Sequence, residues 1–355
     1  MAAKSAAGAH SENDSTTKPR RINIALQGGG SHGAFAWGVI DRLLEHGGVE
    51  IEGIVGTSAG AMNAAVTAYG LMKGGNEGAR GRLYAFWHSI SEAARFSLLQ
   101  PPPWSKLMEP NSGSLDMAPG YIFSDFISRM FSPYQTNPLN LNPLRDVLLA
   151  TVDFEELRKQ SHVKLFVSAS NVMNNRLRIF AGNEVTVDAV LASACLPFMF
   201  KAVEIDGEFF WDGGYMGNPP LYPLIYNCES RDVLIIQLNP INIDKVPNTA
   251  QEILDRINTL SFNSSLMREM RAINFVEQIV DNGYDHDGRL KKMFIHTIDG
   301  EHTLNKLGVS SKLNADWDFI MHLRALGRTA AEQFIEQDFD KIGVSSSTNI
   351  VTKFL

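Results

Sequence analysis

The chain has 355 residues, 44% apolar and 20% charged, an ordinary balance for a globular protein with a sizeable core. Lys plus Arg number 32 and Asp plus Glu 39, and the formal charge of −7 disfavours non-specific binding to nucleic acid. Two cysteines, Cys195 and Cys228, exclude a disulfide framework, and neither sits in a metal-ligand spacing, so a reducing, cytoplasmic compartment is expected.

Residues 1–20 are small and polar without an apolar core, which reads as a disordered leader rather than a signal peptide. From Ile22 a short apolar run, INIAL, ends in a glycine cluster, and Ala34 to Leu44 then follow at helical spacing until Gly47 and Gly48. Ile51 to Val55 predicts a second strand, followed by a glycine-flanked turn and a small-residue helix to about Leu71. Strand, glycine turn and helix, twice over, is the pattern of a parallel α/β sheet. Residues 73–82 read as a glycine-rich loop. Residues 96–145, with PPPW at 101–104, read as an insertion whose helical periodicity is confined to 121–130.

Strands are predicted at 163–168, 177–180, 233–238 and 292–298, and Asp206-Gly207 predicts a tight hairpin. The longest apolar stretch, 189–200, is too short to span a bilayer. Two helices close the pattern, one through Leu266 to Val280 and one through Ile320 to Phe334, with Asn314 as the expected cap of the second. Asp281, Asp285 and Asp287 lack the spacing of a calcium loop, and neither a metal nor a cofactor is called for.

Two glycine motifs carry chemistry. Gly28, Gly30 and Gly33 satisfy GxGxxG between a strand and a helix, where free N–H groups favour an anion. A dinucleotide site would need an acidic residue at the end of the second strand, whereas Glu50 and Glu52 lie at its start. An oxyanion hole and a plain tight turn remain as readings. Gly56, Ser58 and Gly60 form GxSxG between an apolar strand and an Ala-rich helix, the nucleophile-elbow pattern. A serine needs a base, and none of the nine histidines lies in a motif that marks one; a Ser-Asp-His order would have to use His286, His296, His302 or His322.

Asp212, Gly213 and Gly214 follow the apolar run Phe209-Phe210-Trp211 and lead to Asn218-Pro219-Pro220, where a helix capped by Asn218 is expected. GGGSHG at 28–33, GTSAG at 56–60 and DGG at 212–214, in that order, together with ASACLP at 192–197, resemble the patatin-like phospholipase family. The resemblance covers roughly residues 22–240; the C-terminal stretch resembles the extension of a bacterial subgroup more weakly.

The resemblance implies a three-layer α/β fold with a mostly parallel central sheet, a helical insertion and a C-terminal helical extension. It divides the chain into the leader, a catalytic domain at 21–240 with 96–145 as insertion or lid, and an extension at 241–355 packed on the same domain. It implies Ser58 as nucleophile, Asp212 as base, and Gly29 and Gly30 as oxyanion donors, acting on ester bonds of phospholipids or acylglycerols through an acyl-serine. Many family members carry Lys or Arg where His32 stands, which makes His32 a candidate modulator of phosphate preference and pH optimum. Alternatives on the same dyad are a transacylase, a thioesterase or a storage-polyester depolymerase; a non-catalytic lipid-binding module is a further one. The expected partner is a lipid or other acyl ester, with transient membrane contact through apolar side chains of 96–145: Phe96, Leu98, Leu99, Trp104, Met108, Phe123, Phe126, Met130, Phe131 and Tyr134. Packing of the same side chains on the sheet is the competing expectation.

Overall fold

The computed structural model describes residues 18–95, 113–116 and 118–355. The leader up to residue 17 and the PPPW segment lie outside the described residues. So do Phe96, Leu98, Leu99, Trp104, Met108 and the side chain of Phe126.

The first half of the pattern is β1 (Arg20–Leu26), α1 (Gly33–His46), β2 (Val49–Gly56) and α2 (Ala59–Ala94). Gly47, in the left-handed region at φ 75°, ends α1 as its cap. The expected loop at 73–82 is instead a helical hairpin: α2 breaks at Gly74 and Gly75 and resumes at once. A Cβ on Gly70 would lie 2.4 Å from the Cα of Ala79, so the glycines there serve close packing of the two helical arms. Next come α3 (Pro119–Met130), α4 (Pro133–Thr136), α5 (Pro143–Thr151) and α6 (Phe154–Gln160). Strands β3 (Lys164–Asn171) and β4 (Leu177–Ala181) precede α7 (Val187–Ser193). The predicted hairpin is β5 (Val203–Ile205) and β6 (Glu208–Asp212), with Asp206 and Gly207 both at positive φ.

Helix α8 (Tyr222–Asn227) starts four residues beyond Asn218, so Asn218 does not cap it; its side chain is engaged elsewhere. Strand β7 (Asp232–Gln237) is followed by α9 (Ala250–Asp281), β8 (Phe294–Asp299), α10 (Glu301–Leu304), α11 (Trp317–Gln337) and α12 (Ile350–Phe354). The cap of α11 is Asp316, whose carboxylate accepts from the Phe319 N–H, and not Asn314. Asn314 Oδ1 accepts from the Asp316 N–H one turn earlier.

The strands form one eight-stranded sheet in the order β5-β6-β3-β2-β1-β7-β8, with β4 also on β3. The central pairs β1/β2, β1/β7, β2/β3 and β7/β8 are parallel, and the pairs of β3 with β4 and β6 and of β5 with β6 are antiparallel. Alternation along the central strands feeds two cores. Ile24, Leu26, Leu234 and Ile236 face α1, α2 and α11, while Ala25, Val233 and Ile235 face α8, α9 and α12. The result is an α/β fold of three layers with a mostly parallel sheet, inserted helices and a C-terminal helical region.

Helices α1 and α11 cross backbone to backbone. A Cβ on Gly38 would lie 2.0 Å from the Arg324 carbonyl oxygen, and one on Gly327 would lie 2.0 Å from that of Phe35. The buried Asp41 carboxylate fastens the same crossing through Arg80, Arg324 and Arg328. Burial alone would raise its pKa, and the three guanidinium groups hold it below the usual range.

Gly327→Ala is expected to lower unfolding free energy by about 1–3 kcal/mol through this contact. Gly81→Ala, in α2 with open space at its Cβ, is expected to raise it by up to about 1 kcal/mol. Urea denaturation of both variants checks the pair, and equal effects would contradict the packing argument.

Candidate active site

Ser58 sits between β2 and α2 with φ 56° and ψ −124°, a conformation few side-chain-bearing residues adopt. Close backbone approach leaves no alternative. A Cβ on Gly56 would lie 2.4 Å from the Gly60 carbonyl oxygen, and one on Gly60 would lie 2.4 Å from that of Leu26. The Ser58 N–H donates to Ser193 Oγ at 2.9 Å, so the ASACLP segment holds the turn from α7. The Thr57 hydroxyl donates to the Gly217 carbonyl at 2.8 Å and lies 2.6 Å from Ser168 Oγ, which ties the turn to the segment after Asp212.

The glycine turn faces the serine. A Cβ on Gly28 would lie 2.7 Å from Ser58 Cβ. The Gly28 N–H donates to Asn218 Oδ1 at 2.7 Å, which fixes the start of the turn. Gln27 supports it below: its Oε1 accepts from the N–H groups of Leu238 and Asn239 at 2.8 and 2.9 Å. Gly30 has φ 57°, and a Cβ there would lie 2.2 Å from the Lys312 carbonyl oxygen. Among the described residues no acceptor takes the N–H of Gly29 or Gly30. Gly33 opens α1 against Ala59 and Trp87, and its carbonyl accepts from Asn63 Nδ2 at 2.8 Å.

Asp212 ends β6 and is fully buried. Its Oδ1 accepts from the Gly214 N–H at 2.7 Å, and its own N–H donates to the Cys195 carbonyl at 2.8 Å. A Cβ on Gly213 would lie 2.3 Å from the Ser168 carbonyl oxygen, so the glycines of DGG allow β6 to turn against β3. Burial pushes the Asp212 carboxyl up to about 7, and the Gly214 N–H and the Ser58 side chain only partly offset this. Ser58 thus lies close enough to favour the charged form, although no aligned hydrogen bond joins the two and Asp212 Oδ2 has no partner. The structure therefore brings together Ser58, Asp212 and the glycine turn, residues far apart in the chain.

His32 differs from the expected modulator. It is 2% exposed, and burial, then the charge of Lys312, pushes its pKa down to about 3, so it is neutral at any ordinary pH. The Ser311 hydroxyl donates to the Gly308 carbonyl at 2.5 Å, and its oxygen therefore accepts from His32 Nε2–H at 2.8 Å. No described histidine bonds to Ser58 or Asp212. His296 does have an aspartate and a serine, Asp232 and Ser347, each at 3.0 Å, but these lie at the β7–β8 edge and pin the C-terminal segment. His286, His302 and His322 have no hydrogen bond to the site, and His10 lies outside the described residues.

Glu52 accepts from the Glu229 and Ser230 N–H groups and pairs with Lys164, a structural set with no ribose-binding geometry. Cys195 and Cys228 are both free and buried. Asn218, Ser193, Gln27 and Lys312 escaped the sequence reading as site residues. The only local signal was ASACLP, which contains Ser193.

Two cavities flank these elements. One of about 650 Å³ is lined by Phe131, Tyr134, Phe198, Trp211, Tyr215 and Met216, on the Asp212 side. One of about 810 Å³ is lined by His32, Leu238 and Lys312 among others, on the side of the glycine turn. No helix among the described residues is long and apolar enough to cross a membrane.

A three-layer α/β sheet whose second strand ends in a strained serine, opposite a glycine turn, defines a hydrolase class. The patatin-like phospholipase family matches residues 24–225, more than half of the chain, and the protein belongs to that family of lipid acyl hydrolases. Similar solved structures include VipD from Legionella pneumophila, at 16% identity and a TM-score of 0.37, covering 86% of this chain and 67% of that one. The type III effector ExoU is 17% identical with a TM-score of 0.35, covering 90% of this chain and 54% of ExoU. In the ExoU–SpcU complex from Pseudomonas aeruginosa the identity is 17% and the TM-score 0.31, over 70% of this chain and 51% of that one. The chain thus spans about half to two thirds of the length of these structures. No curated protein matches it.

A buried carboxyl whose pKa rises on folding binds a proton that the unfolded chain has released. Asp212 therefore costs stability as pH rises from about 4 to about 7, and the cost stays above that. Glu269, half-buried where it accepts from the Leu221 and Tyr222 N–H groups and pushed by desolvation to about 7, acts in the same direction. Asp212→Asn keeps the acceptor for Gly214 and isolates one contribution. It is expected to stabilise the protein by roughly 1–4 kcal/mol at pH 8 and by much less at pH 4. Denaturant titrations at the two pH values check this.

Proposed function

We propose that the protein hydrolyses carboxylic esters of lipids through a Ser58–Asp212 dyad. The observation that carries this reading is the strained Ser58 set beside a fully buried carboxylate with a free Oδ2. Ser58 Oγ attacks the ester carbonyl carbon while its proton passes to Asp212 Oδ2. The oxyanion receives the unpaired N–H groups of Gly29 and Gly30. When the tetrahedral adduct collapses, the C–O bond to the alcohol breaks, and Asp212 returns the proton to that oxygen. Asp212 then takes a proton from the water that attacks the acyl-serine; as that adduct collapses the C–Oγ bond breaks, Asp212 returns the proton to Ser58 Oγ, and the fatty acid leaves. The raised Asp212 pKa suits this exchange, because a carboxyl near 7 both accepts and returns a proton at neutral pH.

The 650 Å³ cavity, apolar and next to Trp211 and Tyr215, takes the acyl chain. Met130, Phe131, Tyr134 and Phe198, which line it, are all more than 45% exposed and contact the lipid aggregate. The residues beyond 240 belong to the same catalytic unit, a reading supported by Lys312 on Gly30 and by α11 on α1.

Ser58→Ala and Asp212→Asn are each expected to lower kcat/KM for a short acyl ester by roughly 10³-fold or more. Near-normal turnover in either variant would refute the dyad. A fluorophosphonate probe should label Ser58 and no other serine. The sign of the pH effect follows from the base role: kcat/KM rises with pH through about 7 as Asp212 ionises. Phe198→Ser is expected to weaken co-sedimentation with phosphatidylcholine vesicles by about tenfold, the cost of losing one large apolar contact.

A further inference from the structure

The 810 Å³ cavity has no role in the chemistry above, yet it shares a wall with the glycine turn. A Cβ on Gly29 would lie 3.3 Å from Leu238 Cδ1 and 3.6 Å from His32 Cβ, and both residues line the cavity. Its inner cation is Lys312, whose Nζ donates to Asn239 Oδ1 at 2.9 Å and has two further protons to give. Burial pushes this lysine down to about 8, and the charge of Asp255, which lines the same cavity, offsets this only in part, so a further anion would still be favoured. Arg256 lines the same cavity, donates once to the Ile241 carbonyl, and leaves Nη1 buried without a partner. Two cationic side chains thus line one hollow, which fits a phosphate oxygen set.

The rest of the lining carries both signs, with Lys245 and Lys306 beside Asp116, Asp244, Glu252 and Asp255. Asp116 and Asp244 line the cavity, and neither makes an ion pair among the described residues. Glu252 is already used, since its carboxylate caps α9 through the Asn248 and Thr249 N–H groups. Ile243 and Val246, 41% and 86% exposed, stand beside the acids and add an apolar edge. A lining of both signs, with the half-buried Lys312 and Arg256 as its inner cations and aliphatic side chains beside the exposed acids, matches a phosphate that carries an amine and is attached to lipid.

We propose that this cavity is a subsite for the head group of a zwitterionic phospholipid, with phosphate on Lys312 and Arg256 and ammonium on Asp116 and Asp244. The assignment to a substrate rests on the dyad reading above; the binding chemistry does not. An overall charge of −7 agrees with a zwitterionic rather than an anionic lipid surface.

The full chain carrying Ser58→Ala, which binds without turnover, tests the subsite with glycerophosphoethanolamine, glycerol 3-phosphate and inorganic phosphate, followed by calorimetry. Saturable binding of glycerophosphoethanolamine is expected, at least about tenfold weaker after Lys312→Met or Arg256→Met. Asp244→Asn should weaken glycerophosphoethanolamine more than glycerol 3-phosphate. No saturable binding, or binding that neither cation variant changes, would overturn the subsite. Inorganic phosphate binding as tightly as the diester would overturn the head-group assignment in favour of a soluble anion. Should Lys312→Met fail to fold, Arg256→Met decides alone. A second measurement uses the active protein. The ratio of kcat/KM for a short-chain phosphatidylethanolamine to that for the matching diacylglycerol should fall at least about tenfold in the cation variants, and an unchanged ratio would also overturn the proposal. Absence of turnover on every ester would count against the dyad alone, and the calorimetry would still decide the cavity.

Discussion

Around Ser58 three stretches of backbone meet with no room for a single extra carbon. The carbonyl of Leu26, the first turn of α2 and the glycine turn at 28–30 all press on the end of β2, and glycines at 28, 56 and 60 are what permit it. The positive φ of Ser58 is the geometric remainder of that contact. A relaxed serine would swing the helix off the strand and open the sheet at its centre, since β1 and β2 are neighbours there. Everything else at the site is arranged around this fixed point: Ser193 from α7 and Thr57 with the strand neighbours secure the turn, and Asn218 secures its counterpart.

Asp212 shows the opposite economy. Its position is held by good backbone bonds, but its charge is held by little. One N–H and one nearby hydroxyl face a carboxylate with no exposure to water. A second N–H or a guanidinium, as Asp41 has three times over, would make a more stable anion and a poorer proton acceptor. The contrast between these two buried aspartates separates a residue that fastens helices from one whose charge is left without a cation.

The glycine motifs were legible because the forces behind them are local. A sharp strand-to-helix turn needs small residues at fixed offsets, and that need is written in a few consecutive positions. The central strands and α1 were legible for the same reason, through short apolar runs and a terminating Gly47. What escaped depends on distant partners. Nothing near Asn218 says that it will bind Gly28, 190 positions earlier in the chain, and its run into two prolines mimics a helix cap. The glycines at 74–81 read as a loop because their neighbours across the hairpin are invisible in one strand of text. His32 read as a modulator of phosphate preference and pH optimum, while the segment that buries it begins near Gly308.

That last segment also sets an order of assembly. Gly30 rests against the carbonyl of Lys312, and α1 rests against Gly327, so an early turn of the chain is completed by residues near its end. On a ribosome adding roughly 5–20 residues per second, the glycine turn emerges many seconds before its seat does. The first strands and helices can collapse in that interval, but the turn has no wall to lie on. The nascent chain is thus a scaffold waiting for a distant segment, and the glycine turn gains its seat only after residues 312–327 have been made.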